Sequence, residues 1–534
     1  MLPSLINSLL QPDCYPHPVT IPIRVIETQV SWVLLTGEYV YKIKKELNFG
    51  FLDFSTLDKR QYYCEEELRL NQRLAPDIYQ AVVTISGSEN LPSISATLLI
   101  TEPEKAQQPL SLNPQSYTVI EYAVRMRQFD PESGLDKLLQ QNKFEAPWIE
   151  QLAEQLAKFH QQLPTVASNS PWGEPSNIWQ LVSDNYLHTL DFCTDEADLE
   201  HLTKLYTQTT EQYMALEATF RERRKLGFIR ECHGDLHLGN VTLFENKLRL
   251  FDCIEFNLQF RWIDTCSDLA FLLMDLEANG KYSWANITLN RYLELSGDYQ
   301  CLQILNFYKS FRSMVRAKVA TLGPSANHQS FVKYLRLTQH YQRSSKPTLI
   351  LMHGLSGSGK SYVSRKIIKN IPAIRISSQV QRERLHKELL KKGKKLDLHS
   401  PEINARLSQH LLTLAQNILK MGYSVVVDGT FLKQHFRQNY LNLAEQLNIQ
   451  ITIVSCVCEE KLLKARLVRG INTRSNDSNF SLERLAHQLT YQQPLCDQQQ
   501  QFQVKANTDD DQEIEKLLSK IIALQSSPAA HPLA

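Results

Sequence analysis

The first clear periodicity in the chain is twofold. Val30 to Leu35 and Glu38 to Lys44 each read as a β-strand, and Thr36-Gly37 between them predicts a hairpin. The period then lengthens. Leu57 to Leu74 reads as a helix with Ser55 or Thr56 as its N-cap and Ala75-Pro76 as its stop. Leu98 to Thr101 and Tyr117 to Ala123 read as further strands around the polar run PEKAQQPLSLNP, and the second continues into EYAVRMRQF, a stretch predicted to cross from a small lobe to a larger one. In that larger lobe, Trp148 to Gln162 carries Leu152, Leu156, Phe159 and His160 at helical spacing, with His160 read as a packed histidine. Leu199 to Phe220, Asp268 to Leu276, Cys301 to Thr321 and Phe331 to Tyr341 continue the helical pattern as far as Arg343-Ser-Ser-Lys-Pro347, which reads as a domain boundary.

Beyond that boundary the pattern changes again. Four short apolar runs, Thr348 to Met352, Ala373 to Ser377, Ser424 to Asp428 and Ile449 to Cys456, are separated by helical stretches, which predicts a parallel sheet with helices on both faces. The expected organisation is therefore α+β and bilobal over residues 1–342, with a small lobe at 1–122 and a helical lobe at 123–342. An α/β domain follows over 347–524, and then a flexible tail at 525–534. A length of 534 residues suits roughly two to four domains.

Composition narrows the partners. Lys plus Arg (58) balance Asp plus Glu (57), so no global field recruits nucleic acid or an anionic membrane, although a local basic groove remains compatible with that balance. No run reaches the length of apolar residues that a membrane span needs, and MLPSLINSLL lacks a basic leader region. Ten cysteines without a CxxC pair read as free thiols, so a cytoplasmic location is expected.

Cys232 to Phe256, CHGDLHLGNVTLFENKLRLFDCIEF, concentrates the chemistry. A hairpin from Val241 to Phe244 and Leu248 to Phe251, turning at Glu245-Asn246-Lys247, is predicted to set Asp235, Asn240 and Asp252 at its ends. One carboxylate that orients an attacking hydroxyl, together with an amide oxygen and a second carboxylate that hold a metal ion, is the donor set phosphoryl transfer requires. Asp235, Asn240 and Asp252 fill those roles in that order. Lys42 and Lys44 share a strand face, and Lys42 is favoured as the residue that reaches nucleotide phosphates. Its expected anchor is Glu66, in register with Leu70 and Leu74, with Glu67 as the neighbouring alternative. A competing zinc reading pairs His233 with His237 at i,i+4, but Gly234 and Gly239 oppose the helix that such a pair needs.

These motifs, in this order over about residues 20–340, resemble the catalytic core of the aminoglycoside phosphotransferase and choline kinase-like group, the small-molecule branch of the protein-kinase fold. The resemblance implies Asp235 as catalytic base, Asn240 and Asp252 as Mg²⁺ ligands, and Lys42 with Glu66 as the phosphate-positioning pair. It also implies an adenine contact with the backbone at Glu121 to Ala123, while His233 braces the loop. The glycine-rich loop is absent, so Gln29 to Trp32 would cover the phosphates.

The second half carries GLSGSGKS, which satisfies GxxxxGK[ST] between an apolar strand and a helical run from Tyr362 to Lys369. Gly354, Leu355, Ser356, Gly357, Ser358 and Gly359 would wrap phosphates with backbone amides, Lys360 would reach the β and γ groups, and Ser361 would ligate Mg²⁺. Asp428, closing SVVVD, is placed as a Walker B carboxylate, and Arg466 and Arg469 as lid arginines. Over about 347–520 this half resembles the small P-loop kinases related to polynucleotide kinase and gluconate kinase. Gln379 stands where that group has an acceptor-orienting aspartate, and Asn476 where it has a lid aspartate. The expectation is an ATP-dependent kinase acting on a small-molecule hydroxyl at Asp235, with a second ATP-binding domain. The alternatives make the P-loop domain a regulatory module, or a nucleic-acid end kinase suggested by QRERLHK at residues 381–387 and opposed by the near-neutral charge.

Overall fold

The computed structural model describes residues 2–95, 118–322, 327–343, 346–471 and 478–525, with side chains for all of these except 469–471, 478–481 and 484. The chain divides into two compact units. One comprises Met1–Gln151, Phe159–Ser183 and Glu217–Asp275, and the other Leu152–Lys158, Asp184–Leu216 and Leu276–Ala534. That division differs from a single boundary at Arg343 to Pro347, because helices from before residue 343 belong to the same unit as the carboxy-terminal sheet. The expected strand Leu98 to Thr101 and nearly all of the tail, residues 526–534, lie outside the described residues.

The first unit is built on an antiparallel sheet of β1 (Arg24–Glu27), β2 (Ser31–Leu35), β3 (Tyr39–Lys44), β4 (Tyr79–Ser88), β5 (Leu91–Ile94) and β6 (Val119–Arg127), in the order β1-β2-β3-β6-β4-β5. The expected hairpin is present as β2 and β3, with Leu34 opposite Tyr41 and Val33 opposite Lys42. Its inward residues Leu34, Tyr41 and Ile43 are buried, so the twofold pattern has the packing consequence it should. The helix Leu57–Gln72 lies against the sheet, and Thr56 is its cap, accepting from the Lys59 N–H at 3.3 Å. Its buried residues are Arg60, Cys64, Glu67, Leu68, Leu70 and Asn71, of which Arg60, Cys64, Glu67 and Asn71 form an i, i+4, i+7, i+11 series.

Two short pairs follow. β7 (Ile229–Glu231) is antiparallel to β10 (Trp262–Asp264), and β8 (Val241–Phe244) forms a hairpin with β9 (Lys247–Leu250). The turn is one residue tighter than the sequence suggested. Phe244 pairs with Lys247, and Glu245 and Asn246 both take left-handed conformations (φ +48° and +59°), as a two-residue hairpin turn of the right twist requires.

The second unit holds a five-stranded parallel sheet of β11 (Thr348–His353), β12 (Ala373–Ser377), β13 (Ser424–Asp428), β14 (Gln450–Val457) and β15 (Gln503–Asn507), in the order β12-β13-β11-β14-β15. β15, with only Ala506 buried, carried no apolar run to reveal it. The sheet packs its Ile350, Met352, Val426 and Val454 against Val363 and Ile367 of the helix Lys360–Asn370 and against Ile514 and Leu518 near the carboxyl end. The free edge of β12 is capped by the helix Tyr282–Ser296, whose Asn290 donates to Ala373 O at 2.9 Å and accepts from Arg375 N–H at 2.6 Å. That amide substitutes for a neighbouring strand and satisfies an edge that would otherwise stay open. No described helix is long and apolar enough to cross a membrane.

Candidate functional site

In the first unit the chemistry converges on a buried charge cluster. Lys42 Nζ lies 2.8 Å from Glu67 Oε1 and 2.6 Å from Asp252 Oδ1. Lys44, on the same strand face, bonds Glu67 Oε2 at 2.8 Å and also Glu255. Glu67 is fully buried and serves both lysines. Burial alone would raise its pKa, but the ammonium groups of Lys42 and Lys44 bring it down to about 2. Burial would likewise lower the Lys42 pKa, and Asp252 and Glu67 raise it well above the ordinary lysine value.

The expected pairing of Lys42 with Glu66 is corrected by this geometry. Glu66 instead bonds Arg69 at 2.7 Å and Arg261 at 2.8 Å. Leu70 and Leu74 put Glu66 in an apolar register, but the face meeting the sheet is the Arg60, Cys64, Glu67, Asn71 stripe, and only Glu67 lies on it.

The loop around Asp235 is held from beneath by two aspartates that the sequence reading did not single out. Asp268 accepts from the N–H groups of His233 and Gly234 at 3.0 Å each, and from His160 Nε2 at 3.2 Å. Asp275, two turns further along the helix Thr265–Ala278, accepts from the Leu238 N–H at 2.9 Å. A signal was available, since carboxylates inside the apolar run SDLAFLLMDL must find partners when buried. His160, Cys232 and Asp268 also form a buried group of metal-ligand types, but the Asp268 carboxylate already takes three hydrogen bonds. His233 and His237 turn to different partners. His233 Nε2 meets Phe251 O at 2.8 Å, whereas His237 Nδ1 accepts from the Gly239 N–H at 3.1 Å and its Nε2 lies 3.5 Å from Asp235. The segment has no α-helix on which they could share one ion.

Asn240 donates through Nδ2 to Asp235 O at 2.9 Å and to Asp235 Oδ2 at 3.3 Å, and its backbone carbonyl accepts from Phe251 N–H at 3.0 Å. That backbone bond closes the open end of the hairpin and brings Asn240 beside Asp252, which takes a left-handed φ of +63°. Among the described residues no hydrogen bond takes up the Asn240 amide oxygen or the second Asp252 carboxylate oxygen, and the Asp252 side chain is 44% exposed. An amide oxygen beside a carboxylate suits a hard divalent cation, so the residues fit Mg²⁺.

The expected adenine contact at Glu121 to Ala123 is also corrected. Ala123 is paired on both sides, with Ile43 and Val83, while Glu121 pairs with Ile85 and its carboxylate bonds Arg60 at 2.8 Å. The Tyr122 N–H donates to Glu121 Oε1 at 2.9 Å, and Glu121 and Tyr122 pair with β4 alone. The strand runs on to Arg127, so the chain leaves the sheet at Gln128, seven residues beyond the start of the crossover signal at Glu121. Of the Gln29 to Trp32 segment, Gln29 and Val30 form the turn between β1 and β2 and Ser31 and Trp32 open β2, with Thr28 Oγ1 accepting from the Ser31 N–H at 2.8 Å.

In the second unit, Gly354 to Gly359 form a loop between β11 and the helix Lys360–Asn370. A Cβ at Gly354 would lie 2.5 Å from Cys456 O, and one at Gly357 2.9 Å from Leu463 O, so the backbone turns where only glycine fits. Lys360 Nζ folds back onto Leu355 O at 2.6 Å, and Gln488, absent from the sequence reading, clamps Ser356 through its N–H and its Oγ, each at 2.9 Å. Ser361 is exposed at the helix start. Asp428 Oδ2 receives Arg375 Nη2 at 2.5 Å and Ser364 Oγ at 3.3 Å. Arg466 is no free lid residue. It donates to Thr508 Oγ1 and Thr508 O at 2.9 Å each, and Thr508 in turn donates to Ser358 O at 3.0 Å. The Arg469 side chain and Asn476 lie outside the described residues. Gln379 opens the helix Ser378–Lys391 with its amide on Glu383 at 3.2 Å.

A family model described as an AAA domain matches residues 349–495. The carboxy-terminal part is a P-loop domain. Uncharacterized protein Rv2004c of Mycobacterium tuberculosis is 27% identical over 466 residues, which cover 85% of this chain and 88% of that protein, and Uncharacterized protein Mb2027c of Mycobacterium bovis aligns equally well. Among solved structures, a gluconokinase from Sinorhizobium meliloti 1021 shares 19% identity over 34% of this chain and 94% of its own, with a TM-score of 0.25. The Mycobacterium tuberculosis APS kinase CysC in complex with AMPPNP and APS also shares 19% identity, over 34% of this chain and 99% of its own, with a TM-score of 0.25.

Proposed function

We propose that this protein is an ATP-dependent kinase whose first region, of protein-kinase-like fold and similar to the aminoglycoside phosphotransferases, phosphorylates a small-molecule hydroxyl at Asp235. The observation that carries the reading is the bridge from Glu67 through Lys42 to Asp252, with Asn240 and its partner Asp235 at the same open end of the hairpin. Lys42 would exchange Asp252 for nucleotide phosphates while Glu67 keeps its ammonium charged and aimed. Asn240 and Asp252 would hold Mg²⁺, which neutralises phosphate charge when bound. Asp235, fixed through Asn240 and through the Asp268-anchored loop, would orient the acceptor hydroxyl and take its proton. Positioning and charge complementarity carry this mechanism, and no covalent intermediate is needed.

The P-loop domain would bind ATP through Lys360 and the Gly354 to Gly359 amides. Gln379 in place of a carboxylate supports a second reading of this domain, as a nucleotide-responsive module rather than a second transferase, because an amide cannot act as a base. Screening hydroxylated metabolites for ATP consumption tests the assignment. Asp235→Asn should lower turnover by about 10²- to 10⁴-fold with folding intact. Unchanged turnover in that variant would sink it.

A further inference from the structure

Arg375 stands at the centre of the P-loop site without belonging to its motif. It is 4% exposed on the edge strand β12, and its guanidinium serves two carboxylates at once. Nη2 bonds Asp428 Oδ2 at 2.5 Å, Nη1 bonds Glu294 Oε1 at 2.5 Å, and Nε donates to Ser364 Oγ at 2.8 Å. Ser364 lies one turn beyond Ser361 on the helix that starts at Lys360. Glu294 comes from the helix Tyr282–Ser296, far upstream in sequence, which Asn290 pins to the backbone of the same strand. Arg291 Nη1 stands 3.6 Å from the other Glu294 oxygen.

The energetics of this sharing have a direction. A buried guanidinium that loses its only carboxylate is strongly unfavourable, because its charge is left uncompensated away from water. If Asp428 turns toward an arriving metal ion, Arg375 keeps Glu294 and stays paired. Without Glu294, the same movement would strand Arg375.

We infer that Glu294 is a positioning residue of the P-loop site: by holding Arg375 it lets Asp428 be released to the metal of a bound metal–nucleotide complex, so that the helix Tyr282–Ser296 sets how strongly magnesium strengthens nucleotide binding. This rests on the P-loop domain binding ATP. The coupling reaches metal-dependent affinity and leaves metal-free affinity alone, because the loop amides and Lys360 engage phosphate without Asp428.

The test uses the full chain and the fluorescent analogue mant-ATP, taking as the P-loop component the binding that is lost in Lys360→Ala. Affinity is measured with magnesium and with EDTA, and thermal melting of each variant checks folding. In Glu294→Gln the gain in affinity on adding magnesium should shrink by about tenfold, the scale of one charge-assisted hydrogen bond, while affinity in EDTA stays as in the wild type. Glu294→Asp, which keeps the charge, should recover most of the gain. The double variant Arg375→Met with Glu294→Gln removes both buried charges and should restore it, which also covers the case in which Glu294→Gln alone folds poorly. A magnesium gain unchanged in Glu294→Gln, or still reduced in the double variant, overturns the inference. If Lys360→Ala removes no mant-ATP binding from the wild type, the nucleotide reading of the domain fails first, and the inference with it.

Discussion

Both regions set a lysine and an aspartate to work, and they neutralise them in opposite ways. In the first, Lys42 and Asp252 are each other's partners at 2.6 Å, with Glu67 completing the circuit. In the P-loop region the two charges are kept apart. Lys360 rests on the Leu355 carbonyl and Asp428 on Arg375. On the proposed reading, filling the first site would break the Lys42–Asp252 pair while Glu67 still holds Lys42, and filling the second would free the lysine from a neutral oxygen and the aspartate from a separate cation.

Substitutions can break that contrast. The largest effect is expected at Lys42. Lys42→Met should reduce first-site turnover by about 10³-fold, whereas Lys44→Met, which removes a charge from the same face but no phosphate contact, should lower the melting temperature far more than it lowers turnover. Steady-state kinetics beside thermal melts separate the two. Glu67→Gln should cost about 3 kcal/mol of stability in denaturant unfolding, because a fully buried carboxylate serves two buried lysines, and Glu66→Gln only about 1 kcal/mol, since of its partners Arg69 is half exposed and buried Arg261 keeps Glu231. Equal effects would mean that the helix is rotated from the register described. Lys360→Ala should weaken nucleotide binding to the P-loop component by about 100-fold while first-site turnover with saturating substrate stays within twofold, as calorimetry and kinetics on the same preparation would read.

Acid sharpens the comparison further. Glu67 is held at about 2, below its ordinary 4.5, so its contribution is fully present above the ordinary value and is lost as pH falls from there through about 2. Glu255 works against it, since burial and the neighbouring Glu67 raise its pKa. Stability of the wild type should fall with acid across that window, and Glu67→Gln should flatten the fall. The smallest effect, about 1 kcal/mol in melting, is expected for Arg466→Ala, which loses its bonds to Thr508 at a partly exposed position.

Legibility followed the range of the interaction. The strands β12 and β13 stand where the patterns placed them, and the hairpin of β2 and β3 and the hairpin after Asn240 stand within one residue of it, because period and turn chemistry act over a few residues. The glycine loop and Lys360 also fall between strand and helix as the motif requires. What the patterns misplaced were choices among adjacent residues. Glu66 and Glu67 have the same composition and nearly the same register, and a helix rotation of one residue decides which carboxylate meets the sheet. Glu121 and Ala123 belonged to a strand whose length depended on its partners β3 and β4, and those lie some 80 and 40 residues away in sequence.

The sequence alone determined the local chemistry: which residues could donate, accept or ligate, and which short segments would present them. Tertiary structure decided the pairings. Glu67 became the anchor of Lys42, Asp268 and Asp275 became the supports of the Asp235 loop, and Glu294 became a partner of Arg375, some 80 residues later. The reason is physical. A buried charge must find its counter-charge wherever the folded chain brings one, and sequence periodicity carries no record of contacts made across such distances.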